Sequence, residues 1–492
     1  MSYPKTRTVD QRDDFHGTEI ADPYRWLEDQ NSAEVDEWAA AQAALTEDYL
    51  ANLPGRDRLA ARLAQLSALP TSLVPELRGG RWFRMTNDGR QQQSVLRVAD
   101  RPLAEGTVLL DPNAADPDGT TSLAAAIPDP TGRLVAWSYK EAGSDWCRWR
   151  IREVATGQDL PDELAWGKFV EPTWLGDSSG FVYATYPPAD DQDVYSSANV
   201  APKLLLHRVG TEPAQDQVLF HRPDQPAVYC WPWVDKDAGW LAAVLQDSEA
   251  DTYAVWIQNL NDPSDELHEI VPPSHAEWQP VAADERGLIM RTDLDAPRGR
   301  LVLVDRHTGE ITTLVAERAA LLQLADTTAD ALVISWLADA CSQVTVHDLS
   351  GEQVGAVELP TLGTVDALST SEDSSLVHLS FTSYDTPPQV LAHDLATGRT
   401  ETVFAARPAE AGPALVTEQV WITSADGTRL PAFVVHRADV TPANGPHPTV
   451  LYGYGGFYVT VSPGFSPAIT TFAEAGGVWV VANLRGGGEY GS

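Results

Sequence analysis

Lysine is scarce in this sequence: Lys5, Lys140, Lys168, Lys203 and Lys236 are the whole supply in 492 residues. Lys and Arg together number 34 against 70 Asp and Glu, a formal net charge of −36. A field of that sign repels polyanions, so nucleic acid and anionic membrane surfaces are excluded as partners. Cysteine is scarce too. Cys147, Cys230 and Cys341 are odd in number, far apart, and form neither a C-x-x-C pair nor a zinc spacing. The expectation is buried, reduced thiols in a cytoplasmic protein, with no disulfide framework and no metal site. No run of about 18 apolar residues occurs, so no membrane-spanning helix is expected. The opening stretch MSYPKTRTVDQRDDF is charged and lacks the apolar core of a secretory leader. G-x-G-x-x-G and G-K-[ST] are also missing, which leaves no nucleotide motif and no expected cofactor.

What is present falls into three textures. Residues 1 to about 70 read as helical. Asn31 can cap a helix, with Glu34 placed to complete a capping box. Apolar residues follow at Val35, Trp38, Leu45 and Tyr49, and again at Leu59, Leu63 and Leu66, spacings that put each set on one buried face. From about 77 to 407 a turn, an apolar strand, a polar loop and another strand recur. Seven units start near Arg78, Asp129, Gly176, Asp235, Asp284, Thr328 and Glu372. Their spacing suits four-stranded propeller blades, and seven would close a ring. His347 and His393 hold equivalent places in two hairpins, VHDLSGE and AHDLATGR, so they read as part of the repeat rather than as metal ligands. From about 415 a hairpin built around ADGT precedes a strand, a helix in AITTFAEAGG and the strand VWVV, the signature of α/β architecture.

Three motifs invite chemistry. GDSSG, Gly176 to Gly180, satisfies the nucleophile-elbow pattern G-x-S-x-G. That chemistry needs a strand, a strained turn and a helix, whereas EPTWL and FVYATY on either side both read as strands, so Ser178 is expected in a blade hairpin. LYGYGGF, Leu451 to Phe457, sets two adjacent glycines beside aromatics after a strand. A tyrosine hydroxyl there could donate to a developing oxyanion, or the segment could be an ordinary turn; the residues alone leave both readings open. RGGGEYG, Arg485 to Gly491, reads as a structural loop.

DPYRWLED (Asp22 to Asp29), AGSDW (Ala142 to Trp146), SADGTRLP, LYGYGGF and ANLRGGGEYG together resemble the prolyl oligopeptidase family, in that family's order and spacing. Trypsin-like oligopeptidases share RGGGE but differ where this chain has YGYGGF. The resemblance implies a seven-bladed β-propeller on an α/β-hydrolase domain, with an N-terminal segment packing on the latter. The expected domains are 1–72 (N-terminal helical segment of the peptidase domain), 73–410 (propeller) and 411–492 (the first part of the peptidase domain). It implies cleavage of short proline-containing peptides after proline, by a monomer without cofactor. It implies an oxyanion-hole role for Tyr454, a proline pocket at Phe457 and, from KFVEPTW, a substrate contact at Phe169. The family's Ser, Asp and His lie beyond RGGGEYG, so the sequence given is expected to stop inside the peptidase domain and to be inactive as it stands. There the strand PTVLYGYG would lie between VWVVANL and the strand ending at the nucleophile. The alternative is a non-catalytic propeller scaffold.

Overall fold

The computed structural model describes residues 3–29, 32–116, 118–141, 145–187, 200–237, 239–441 and 444–491. They fall into two compact units, 1–66 and 67–492.

The first unit is not purely helical. Arg12–Phe15 and Thr18–Ala21 pair as an antiparallel hairpin. Its turn places His16 and Gly17 at φ +54° and +86°, and Asp14 Oδ1 accepts from Gly17 N at 2.6 Å. A one-turn helix, Arg25–Glu28, follows within DPYRWLED; Arg25 bonds Asp22 at 2.6 Å and also pairs with Asp13. The helices are Ala33–Ala51 and Arg56–Ser67. Asn31 lies outside the described residues. The first helix starts after Ser32, which makes no side-chain cap, and Glu34 is engaged elsewhere: Arg7 forks onto its carboxylate at 2.7 and 2.9 Å. The expected buried faces are only partial. Val35, Trp38 and Leu45 are half-buried, while Tyr49, Leu59 and Leu63 are exposed and Leu66 is buried. What covers the first turns is the N-terminal segment, through Trp38 Nε1 to Thr6 Oγ1 at 3.0 Å, and it does not reach Tyr49.

The second unit opens with seven consecutive antiparallel sheets, over 71–110, 121–167, 173–221, 228–274, 278–315, 321–357 and 364–405. In blades two to seven the recurring sequence marks fall at the turn between the first and second strand, one strand later than the blade begins; blade one has five strands and its mark, Arg78, ends the second. Carboxylates hold the turns at Asp129, Asp177, Asp235 and Asp284: Asp129, fully buried, accepts from Leu134 N at 2.7 Å. A second conserved position of the repeat unit lies near the end of the third strand. His347 bonds Gly351 O, in the loop to the fourth strand, at 3.0 Å, and His393 bonds Thr400 Oγ1, at the start of the fourth strand, at 2.9 Å. His207 is the third member, in the same register.

Apolar cores fill the spaces between successive blades, as Val182 and Leu204 of blade three do against Leu241 and Leu245 of blade four. Six such interfaces carry a cluster. Among the described residues none bridges blades seven and one. That seam is closed by Ser369 Oγ donating to Pro75 O at 2.7 Å and by Trp82 meeting His378 edge-on at 5.3 Å. Each blade is made of consecutive strands, so no strand crosses the seam.

The remaining residues form a four-stranded sheet in the order Leu415–Thr423, Arg429–Arg437, Val478–Ala482, Thr449–Gly453. The last pair is parallel and is joined by the helix Pro467–Glu474. Ser466 caps that helix, Pro467 occupies its first position, and Gly476 at φ +96° follows its end. Thr449–Gly453 is an edge strand with Leu451 71% exposed. The sheet rests on blades six and seven: Ala340 and Tyr384 share a core with Phe433, Val435, Ile469 and Val481. Polar ties run from Thr364 Oγ1 to Pro463 O at 2.7 Å, and from Gln419 and Tyr490 to Asp339 at 2.6 and 3.1 Å.

Candidate active site

Thr449–Gly453 and Val478–Ala482 run parallel and end at the same side of the sheet. The loops that leave them therefore start side by side, and glycine lets them interlock. Gly455 has φ +65°, and a Cβ on it would lie 2.7 Å from Arg485 O; Gly486 has φ +91°, and its Cβ would lie 2.3 Å from Gly455 O. Only hydrogen fits at either place. Tyr458 N donates to Gly486 O at 3.1 Å. Beneath the loops, Glu489 is 3% exposed and accepts from Val461 N at 2.8 Å and Asn483 Nδ2 at 3.0 Å. Arg485 bonds Asp426 at 2.7 Å and so ties both loops to the ADGT turn. Three motifs that sit apart in the sequence are one assembly.

That assembly presents aromatics outward. Tyr454 is half exposed and Phe457 is 90% exposed. Phe457 and Tyr458 both sit at φ +54°, and Val459 N closes the turn onto Gly456 O at 3.0 Å. Two positive φ values in succession are the mark of a type I′ turn, which asparagine and glycine ordinarily build. Bulky residues there cost on the order of 1–3 kcal/mol each, and such strain gathers at functional sites. No propensity rule would have placed Phe-Tyr in this turn, so the sequence hid it.

Phe169 lies on the propeller, in the link from blade two to blade three, again at positive φ (+61°) and 61% exposed. Lys168 Nζ stands 5.0 Å from its ring centroid and 4.8 Å from that of Trp146. Residues 142–144 of AGSDW lie outside the described residues. No hydrogen bond or ring contact among the described residues joins Phe169 to Tyr454 or Phe457. Ser178 is in the turn between Thr173–Trp174 and Gly180–Thr185, is 4% exposed, and its Oγ is buried without a hydrogen-bond partner. A nucleophile needs a base and an approach, and it has neither. Among the described residues no serine hydroxyl bonds a histidine. Nor is any group of three or more His, Cys, Asp or Glu placed to hold a metal.

Burial pushes the thiols of Cys147 and Cys341 up to about 11 and that of Cys230 up to about 12, so all three stay protonated. Cys341 is only half-buried, because it opens the third strand of blade six next to the sheet rather than lying within a blade interface.

Known proteins extend this picture. The family profile described as prolyl oligopeptidase, N-terminal beta-propeller domain, matches residues 4–406. A prolyl endopeptidase of Elizabethkingia meningoseptica is 33% identical over 495 residues, covering 100% of this chain and 69% of its own length. A dual function macrocyclase-peptidase of Amanita bisporigera is 28% identical, covering 100% and 72%. A structure from a mechanistic analysis of two prolyl endopeptidases superposes with a TM-score of 0.87 at 33% identity, covering 100% of this chain and 72% of that one. Prolyl oligopeptidase B of Galerina marginata, bound to a 35-residue hydrolysis and macrocyclization substrate, gives 0.88 at 25% identity with the same coverage.

Proposed function

Because the chain belongs to the prolyl oligopeptidase family, we propose that it supplies the propeller, oxyanion-side and proline-pocket residues of a serine endopeptidase that cleaves short peptides after proline. The observation that carries this reading is the interlocked pair of glycine loops, which exposes Tyr454 and Phe457 on one strained segment. A phenol is a neutral donor, suited to an oxygen that becomes negative only in the transition state. An exposed phenyl ring held at positive φ is an apolar surface awaiting a cover, and a pyrrolidine ring is a matching one. Phe169 would meet the same peptide from the propeller. Three unpaired thiols fit a reducing, cytoplasmic setting.

The 492 residues hold one G-x-S-x-G, at Ser178, and its surroundings support a blade turn rather than catalysis. That favours one second reading, a propeller that binds peptides without cleaving them. Peptide recognition is common to both and is tested by calorimetry. A short peptide with an internal proline should bind the chain more tightly than its alanine counterpart, and Phe457→Ala should remove the difference. Equal affinities in the unaltered chain would contradict the assignment of the pocket.

A further inference from the structure

We propose that Lys168 receives a carboxylate of the bound peptide on the propeller side of the site; this rests on the peptide-binding reading above. Lys168 is one of five lysines in a chain of net charge −36, and it is 8% exposed. Its ammonium has three donors. Among the described residues it makes no hydrogen bond and no ion pair. Its neighbours are ring faces, Trp146 at 4.8 Å and Phe169 at 5.0 Å. Two further aromatics close the shelf behind it, with Trp146 packed edge-on against Trp166 at 5.5 Å and Tyr186 at 6.1 Å. None of these is a counter-ion. Burial first pushes the Tyr186 phenol up to about 12, so it stays neutral.

The nearest acid in sequence, Glu171, does not supply the missing charge. Burial and then Glu76 push its carboxyl up, and among the described residues no ion pair joins it to Lys168. Ring faces return only about 0.5–2 kcal/mol to a cation. Among the described residues the ammonium has no oxygen acceptor, and it sits beside the one propeller residue proposed to touch substrate. Of the groups a peptide carries, the carboxylate is the anionic one and the strongest acceptor for an ammonium. It can come from the C-terminus or from an aspartate or glutamate side chain. The chain's overall field repels such a peptide, so recognition must be local, and Lys168 is placed to provide it.

The test uses the full chain and three proline-containing peptides of one sequence: the free acid, the C-terminal amide, and an amide bearing an added glutamate. Calorimetry gives affinities. Lysine labelled at Cε gives at most five NMR signals, and the one lost in Lys168→Arg identifies Lys168. At least one carboxylate peptide should bind about tenfold or more tightly than the plain amide and shift the Lys168 signal; which one does so names the source. Lys168→Met should equalise the peptides and Lys168→Arg should keep the preference. Equal affinities for all three, or a preference that survives in Lys168→Met, would overturn the assignment and leave Lys168 a packing cation. Absence of binding by every peptide would overturn the peptide reading and this inference with it.

Discussion

Phe457 and Tyr454 sit three residues apart on one loop, yet they should fail differently. On the proposed assignment, the Phe457 ring makes apolar contact, which exists as soon as substrate binds. In the chain extended by the catalytic part of a relative, Phe457→Ala should lower the preference for proline over alanine at the cleaved residue by a factor on the order of 10. Equal slowing of both substrates would remove Phe457 from the pocket. On the proposed assignment, the Tyr454 hydroxyl meets charge that appears only in the transition state. Tyr454→Phe should lower kcat by roughly 10- to 1,000-fold with a smaller change in KM. An unchanged kcat would remove it from the oxyanion hole. Both residues were visible in the sequence through LYGYGGF and the family resemblance. The positive φ at Phe457 and Tyr458 was not, because it comes from the backbone of the neighbouring glycine loop rather than from their own propensities.

Among elements, the third blade strand shows what a repeat both reveals and conceals. His347 and His393 stand out because their hairpins look alike. His207 holds the same register position, but its hairpin, LLLHRVGTE, breaks the pattern. It is also the one with the largest electrostatic stake. Its ring is fully buried between Asp216 at 2.8 Å and Asp162 at 3.0 Å, so blade three is stapled to the outer strand of blade two. Tyr183 donates to the same Asp216 at 2.8 Å and Gly210 N to Asp162 at 2.5 Å. Burial lowers the imidazole's pKa, but the bonds to Asp216 and then Asp162 outweigh it and the net direction is up. Both ring nitrogens face carboxylate oxygens, which is the pattern of an imidazolium. A pKa raised above the ~6.5 of the unfolded chain means the stabilisation is complete below that pH and is lost as pH rises through the folded value. Melting curves of His207→Gln and the unaltered chain should therefore converge as pH rises above neutrality. A constant gap in Tm from pH 6 to 9 would show that the ring stays neutral. The N-terminal hairpin was hidden for a smaller reason: the Phe-His-Gly-Thr turn is held by Asp14, a local bond that apolar periodicity does not report.

For the molecule as a whole, the ring of blades was readable because seven similar turns recur. The uneven strength of its joints was not, because clusters between blades are properties of packing. The join between blades seven and one depends on polar contacts and on the Trp82–His378 pair. Burial pushes the His378 pKa down to about 4. The unfolded chain takes up this proton near pH ~6.5, so stability should fall as pH drops from there to about 4, by on the order of 3 kcal/mol. His378→Phe keeps an edge for Trp82 and should flatten that part of the Tm profile; an unchanged slope would place the acid sensitivity elsewhere. At the other end, the edge strand Thr449–Gly453 was foreseeable only through the family resemblance, since burial on a sheet edge leaves no mark in an apolar run such as PTVLYG.

The central proposal is that these 492 residues carry recognition and oxyanion groups without a nucleophile. The most direct measurement is turnover of a chromogenic peptide with proline at the cleaved position. It is made on the chain alone and on the chain extended by the part of a relative that lies beyond the matched stretch. The account predicts no turnover by the chain alone, the same result for Ser178→Ala, and post-proline cleavage by the extended, folded protein. Turnover by the chain alone, or a folded extended protein that cleaves proline and alanine peptides equally, would contradict it.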